Sequence, residues 1–381
     1  MTTRHYLDHA STSPARPEVI EAMLPWLAGA GDPGRVHTEG RLARAAVEQA
    51  REQVADLFGA RPREVVFTSG ATEAIVTAAW GAASRRPHQV VSAVEHSAVR
   101  DATARSSEVA VLGVDGLGRV DLDQLAALIR PGETAAVHVQ WANHEVGTLQ
   151  PVEDVVTACH RRDPDVLVHV DAAAAAGHVP VDFRGLGADL LSVSAHKLGG
   201  PQGVGAMLVR RGLRLPPLLV GGEQERSRRA GLENVAAIVG FGTAAAVLAE
   251  GMNGEASRAR AQTDRILAAA TSVPGVVTYG DILGRVPHIV CLGVEGVEAE
   301  AVLLGLDQAG IAAHSGSACS SESLDPSPVL QAMGVEAERS LRVSVGWSTT
   351  DEDIDAFCHA LPGVVHRLRA LAGPGHRPGA R

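Results

Sequence analysis

Short apolar runs of five or six residues alternate with longer, Ala- and Leu-rich stretches of helical period through the first two thirds of the chain. The runs at Glu64–Thr68, Gln89–Ala93, Glu108–Leu112, Ala135–Gln140, Leu167–Asp171, Leu190–Ser194 and Gly205–Val209 predict seven strands. Between them, Arg41–Phe58, Ala71–Ala83, Asp121–Ile129 and Val152–Arg162 carry the spacing of amphipathic helices. Alternation of this kind predicts an α/β fold, a mostly parallel seven-stranded sheet with helices on both faces. In such sheets, ligands gather at the loops leaving the carboxyl ends of the strands.

The pattern changes after residue 234. A long helical region runs from about Val235 to Ala270 and is expected to bend or break near Gly251–Gly254. Strands at His288–Gly293 and Ser340–Val345 follow, with helices at Glu298–Ala309 and Asp351–Leu371, the last with a kink expected at Pro362. This reads as a smaller α+β domain, to which the first 14 residues return as an extended arm. The expected division is 15–250 for the large domain and 1–14 with 251–372 for the small one. Residues 373–381, rich in Gly and Pro, read as a disordered tail.

Composition narrows the class. With 381 residues and 45% hydrophobic content the chain can bury a large core and a smaller one. A net charge of −10 gives no general attraction to nucleic acid or anionic membrane. The longest apolar runs fall short of the roughly 20 residues of a membrane span, and the N-terminal residues lack the apolar core of a signal peptide. A cytoplasmic protein is the expectation. Four cysteines at wide spacings form no disulfide framework or Cys-x-x-Cys pattern. The only His-x-x-x-His pair, His5 and His9, lies in a segment that does not read as helix, so no metal site is expected.

One residue stands apart. Lys197, in Ser194-Ala195-His196-Lys197-Leu198-Gly199-Gly200, is the sole lysine of a chain that otherwise uses arginine. Twenty-six positions upstream, a strand ends in Asp171. A lysine amine can hold an aldehyde covalently, which arginine cannot, and an aspartate can keep a pyridine nitrogen protonated. Together they suit pyridoxal phosphate (PLP). Phe67-Thr68-Ser69-Gly70-Ala71-Thr72-Glu73 reads as strand, turn and helix start, either a phosphate cradle or a plain helix cap. His96, just past a strand, is placed to lie over a cofactor ring, or serves structure alone. Asn143 either faces the cofactor and substrate or shapes its own turn. Arg342, alternating with apolar residues on a strand, can offer a fork to a substrate carboxylate or pair with a neighbouring acid. Cys319, in Ser315-Gly316-Ser317-Ala318-Cys319-Ser320-Ser321, is crowded by small and polar residues, unlike the other three cysteines, and alone reads as a nucleophile.

Taken together, these motifs resemble the cysteine desulfurases, the NifS/IscS-like branch of the class V aminotransferase-fold PLP enzymes. The likeness runs from Tyr6-Leu7-Asp8-His9-Ala10 to Ser344-Val345-Gly346 and is sharpest at Glu95-His96, Asn143-His144-Glu145-Val146-Gly147, Ser194–Lys197 and Ser315–Cys319. It implies a PLP-dependent transferase of type I fold, and a homodimer in which Gly221–Arg226 reaches the neighbouring cofactor. By the same likeness Lys197 holds PLP, His96 stacks on its ring and Asp171 pairs with the pyridine nitrogen. Ala71 (through its backbone), Thr72, Ser194 and His196 hold the phosphate. Asn143 faces the phenolic oxygen and substrate, and Arg342 binds the substrate carboxylate. The implied reaction converts L-cysteine to L-alanine and leaves the sulfur on Cys319 as a persulfide. An acceptor then takes it, for iron–sulfur assembly, tRNA thiolation or DNA sulfur modification.

Two positions depart from that pattern. Ala174 stands where the family has a glutamine bonded to the phenolic oxygen, and Leu232 where it has a threonine that contacts the phosphate across the dimer. Both departures predict a weaker hold on the cofactor. The alternatives are another PLP reaction (selenocysteine lyase, C–S lyase or transaminase) and a non-catalytic sulfur-transfer scaffold.

Overall fold

The computed structural model describes residues 4–316 and 326–372. Its strands, in chain order, are β1 (His5–Tyr6), β2 (Val65–Thr68), β3 (His88–Ser92), β4 (Glu108–Leu112), β5 (Thr134–Gln140), β6 (Leu167–Asp171), β7 (Leu190–Ser194), β8 (Gly205–Val209), β9 (Val276–Tyr279), β10 (Ile289–Val294), β11 (Ile311–Ala312) and β12 (Ser340–Ser344). The large sheet has seven strands in the order β2-β8-β7-β6-β5-β3-β4. From β7 to β4 its neighbours run parallel, and β8 runs antiparallel to both β7 and β2. The all-buried β5, β6 and β7 explain why their sequences read as continuous apolar runs rather than alternating ones. The fold class is the α/β one expected.

A three-stranded antiparallel sheet, β12-β10-β9, forms a second layer, and β1 pairs in parallel with β11. The N-terminal arm thus joins elements some 300 residues away: Asp8 also bridges to Ser344. One apolar cluster, from Ala43 to Leu248, fills the space around the large sheet. Another gathers Leu7 with residues between Ala259 and Val365.

The expected break at Gly251–Gly254 is absent, for Val235–Thr271 is one continuous helix. Two glycines cost a helix about 1 kcal/mol each. Here burial outweighs that cost, because the first half packs Phe241, Ala244, Ala245 and Leu248 inward and the second half packs Ala259, Ile266 and Ala270. In its middle, from Ala249 to Arg258, no residue is buried. Although long and apolar enough to cross a membrane, half of its apolar stretch is buried within the molecule, mainly against helices Pro17–Ala28 and Thr38–Leu57. Pro362 lies inside the helix Asp351–Ala372. Helices Pro17–Ala28 and Ser97–Ser106 escaped the sequence reading. The first exposes Ile20, Leu24 and Leu27, and the second is short and weakly apolar.

Candidate active site

Five strands of the large sheet, β2, β3, β5, β6 and β7, end on the same edge, and the loops leaving them close a cavity of about 570 Å³. Ala71, Thr72, His96, Asp171, Ser194, His196, Lys197 and Arg342 all line it. Lys197 ends a short 3-10 turn that follows β7. Asp171 is the last residue of β6, and its Oδ1 accepts the Ala173 N–H at 2.9 Å. The helix Ala71–Ala83 begins at Gly70 with no side-chain cap, so its first N–H groups face the cavity. A Cβ at Gly70 or Gly203 would meet no atom within 4 Å, which keeps the space beside those donors open. Gly205 does the reverse job, since a Cβ there would lie 2.5 Å from the Val193 carbonyl and 2.8 Å from the Gly70 backbone.

Glu73 accepts the Ser69 N–H at 2.8 Å and pairs with Arg229 at 2.9 Å, which holds the turn in shape. Ser194 Oγ and His196 Nδ1 are 2.7 Å apart. An uncapped helix start, two hydroxyls and an imidazole suit a phosphate. A buried amine near a carboxylate suits an aldehyde-bearing pyridine ring. The residues present fit PLP.

Burial is the main influence on the titratable groups here. It lowers Lys197 to about 8; Asp171 and Asp8 oppose that shift, while Arg342 adds to it. A lysine so placed is neutral for a useful fraction of the time near neutral pH. His96 is lowered by burial and by Lys197 and Arg100, against Asp171, so its ring is neutral. Its Nδ1 accepts the Ala98 N–H at 3.1 Å, which leaves Nε2 to carry the proton. His144 packs edge-on against it, with centroids 5.1 Å apart. His196 is lowered to about 4 by burial and Lys197.

Opposite Lys197 stands a wall built from the second sheet and the N-terminal arm. Arg342, on β12, is almost fully buried. It donates to His144 O (2.8 Å), Asp8 Oδ1 (2.8 Å) and Ser11 Oγ (2.7 Å). Glu145, in the same wall, is raised to about 7 by burial and accepts the Ser327 hydroxyl at 2.6 Å. The stretch on either side of the undescribed residues 317–325 meets this wall. His314 pairs with Arg342 through the backbone, Gly316 lies against Glu145, and Ser327 bonds it. Cys319 lies outside the described residues, as does the tail 373–381.

Not every residue singled out in the sequence reaches the cavity. Asn143 is buried behind it: Oδ1 accepts the N–H groups of Glu145 and Val146 (both 2.8 Å) and Nδ2 donates to Val94 O (3.2 Å). Its amide shapes the turn that presents His144 and Glu145. Ala174 is in the cavity wall, backed by Ala10, Ala142, Val286 and Ile289. Leu232 is 62% exposed and lines a separate cavity of about 210 Å³ with Ser69, Glu225 and Arg229. Asp8 and His144 carry parts of the site that the sequence motifs contain without any work assigned to them, and Ser11 follows directly on the first of those motifs.

The model of the class-V aminotransferases matches residues 5–357. The chain belongs to the class-V aminotransferase family. Among family members it is similar to a protein of Archaeoglobus fulgidus named cysteine desulfurase IscS 1. The two are 41% identical over 379 residues, which covers 96% of this chain and 98% of the relative. A cysteine desulfurase of Cereibacter sphaeroides is also 41% identical, over 97% of both chains. Among solved structures, a NifS-like protein superposes with a TM-score of 0.89 at 30% identity, covering 96% of this chain and all of that one. SspA, solved in complex with cysteine, superposes at 0.79 with 30% identity, over 90% of this chain and 99% of its own. The type I fold expected from the motifs is that of this family.

Proposed function

We propose that this family member is a PLP-dependent cysteine desulfurase, which converts L-cysteine to L-alanine and passes the sulfur through Cys319 to an acceptor. One observation carries the reading. Lys197, Asp171 and Arg342 line a single cavity, and the chain flanking Cys319 on both sides is bonded into its wall.

When bound, PLP supplies an aldehyde for covalent attachment and a ring that takes up electrons from the substrate Cα. Lys197 would hold it, Asp171 would keep its ring nitrogen protonated and His96 would pack beside the ring. The helix start at Ala71 and Thr72, with Ser194 and His196, takes the phosphate. Arg342 holds the substrate carboxylate, and Asn143 acts through the turn it braces. The Lys197 amine, lowered to about 8, is then suited to take the Cα proton. The Cys319 thiolate attacks the substrate sulfur: an S–S bond forms and the C–S bond breaks. The electron pair stays with the carbon fragment, which leaves as alanine after protonation. A reducing cytoplasm, which keeps that thiol free, suits this chemistry.

The two apolar clusters support domains at 15–250 and at 1–14 with 251–372. Leu24, Leu27, Val36, Val220 and Leu232 are exposed by more than half, which supports a homodimer that covers them. The acceptor is a second protein that takes the sulfur.

The test is an alanine and sulfide assay with L-cysteine and a reductant, wild type beside Cys319→Ser, with visible absorbance recorded for both. Expected are cofactor absorbance in both proteins and loss of alanine production in the variant. Turnover that survives in Cys319→Ser would instead mark a C–S lyase or transaminase.

A further inference from the structure

Arg342 has five N–H donors, and their partners can be counted. Both hydrogens of Nη2 are used, one on Asp8 Oδ1 and one on Ser11 Oγ. One hydrogen of Nη1 is used on the His144 carbonyl. Nε is buried with no partner. A guanidinium grips a carboxylate with two parallel bonds along either of two edges, Nη1–Nη2 or Nε–Nη2. Both edges need Nη2. As the side chains stand, neither edge is free for a bidentate ligand.

We infer that Asp8 is the resident counter-carboxylate of Arg342, and that the substrate carboxylate binds by displacing it. This deepens the amino-acid reading of the cavity and rests on it. The surroundings make Asp8 the partner that moves. The Arg342 side chain is 3% exposed and that of Asp8 is 17%. A buried guanidinium that lost its counter-charge would be left unpaired at high cost, so one carboxylate has to take over as the other leaves. The Asp8 backbone is itself held, since Tyr6 Oη donates to its carbonyl at 3.1 Å and the flanking Leu7 and His9 bond to Ala312 and Ser344. Only its side chain needs to turn outward. Ser11 completes the device: its hydroxyl accepts from Arg342 and donates to Asp8 Oδ1 at 3.0 Å, so all three side chains are linked.

The consequence is selectivity. A thiol without a carboxylate leaves Arg342 on Asp8, while a ligand that carries one replaces a like charge on the same donors. The ligand class is therefore small α- or β-carboxylates with room for a thiol at the Lys197 end of the cavity.

The experiment is calorimetric titration of the holoenzyme with 3-mercaptopropionate, which has the thiol and the carboxylate but no amine to react with the cofactor. 1-Propanethiol is the control ligand. Asp8→Asn is expected to bind 3-mercaptopropionate about tenfold more tightly than wild type, the scale of one charged hydrogen bond released from competition. Ser11→Ala, which frees one Nη2 hydrogen and leaves every charge in place, is expected to tighten it by about threefold. Propanethiol binding should not change in either variant. Unchanged or weaker binding of 3-mercaptopropionate in both variants would overturn the inference and leave Asp8 as a brace for Arg342. Since no turnover is needed, failure of the desulfurase reading shows separately, in the alanine assay.

Discussion

The two walls of the cavity are built in different ways. The Lys197 wall comes from strand-to-loop units of one mostly parallel sheet, each of which delivers its residues within four positions of a strand end. The Arg342 wall is assembled from pieces far apart in the chain. Asp8 and Arg342 are separated by 334 positions, and Glu145 and Ser327 by 182. The first wall carries groups whose roles follow from residue type and strand position. The second carries groups that already satisfy one another, so what each can do depends on which partner lets go. On the proposed function, a wall for covalent attachment thus faces an exchangeable wall for substrate selection.

That contrast can be broken hardest at Lys197. Lys197→Arg keeps the charge but cannot hold an aldehyde, so cofactor absorbance and cysteine turnover should both disappear. Loss of its proton transfer alone is worth on the order of 10²–10⁴ in rate. Retained absorbance in the variant would mean that the cofactor is held by the non-covalent contacts of this wall.

The second wall is open to a pH test. Burial raises the Glu145 carboxyl to about 7, so the folded protein keeps a proton that the unfolded chain, near the ordinary 4.5, gives up. Folding therefore loses stability as pH rises from about 4.5 to 7, and the loss levels off above that. The difference between 4.5 and about 7 corresponds to roughly 3 kcal/mol. Glu145→Gln cannot ionise and should lack this slope, which urea unfolding midpoints at pH 5 and pH 7.5 would reveal. Equal slopes in both proteins would show that Glu145 stays ionised with Arg342.

The smallest effect is expected at Ala174, a cavity-wall methyl backed by other small residues. Ala174→Gln adds one hydrogen bond toward the cofactor, worth about 0.5–1.5 kcal/mol. Titration of the apoprotein with PLP should show a two- to tenfold tighter hold. No tightening would mean that the wall compensates for the missing amide by other means.

Sequence legibility follows the same division. β2, β3 and β5 to β8 were readable because strands buried on both faces are rich in apolar residues, whereas β4, at the sheet edge and partly exposed, shows only its alternating valines and leucine. Helix Pro17–Ala28 was not readable, since its exposed leucines blur its periodicity. The continuity of Val235–Thr271 was misread, because two glycines signal a break locally while the packing of both halves prevents one.

By itself, then, the sequence determined the α/β class, the family, and the choice of Lys197 and Asp171 as strand-end residues that meet in one cavity. These rest on local patterns: strand period, turn chemistry and a lysine used once. The tertiary structure alone decided that Asn143 turns away from the cavity, and that Arg342 is already engaged by Asp8 and Ser11. It also placed Glu145 between the segments that flank residues 317–325. Those facts depend on side chains that meet only after two sheets and a returning arm have docked. No periodicity along a chain encodes which of several polar groups will take a buried donor, because that choice is made by distance and burial in the folded state.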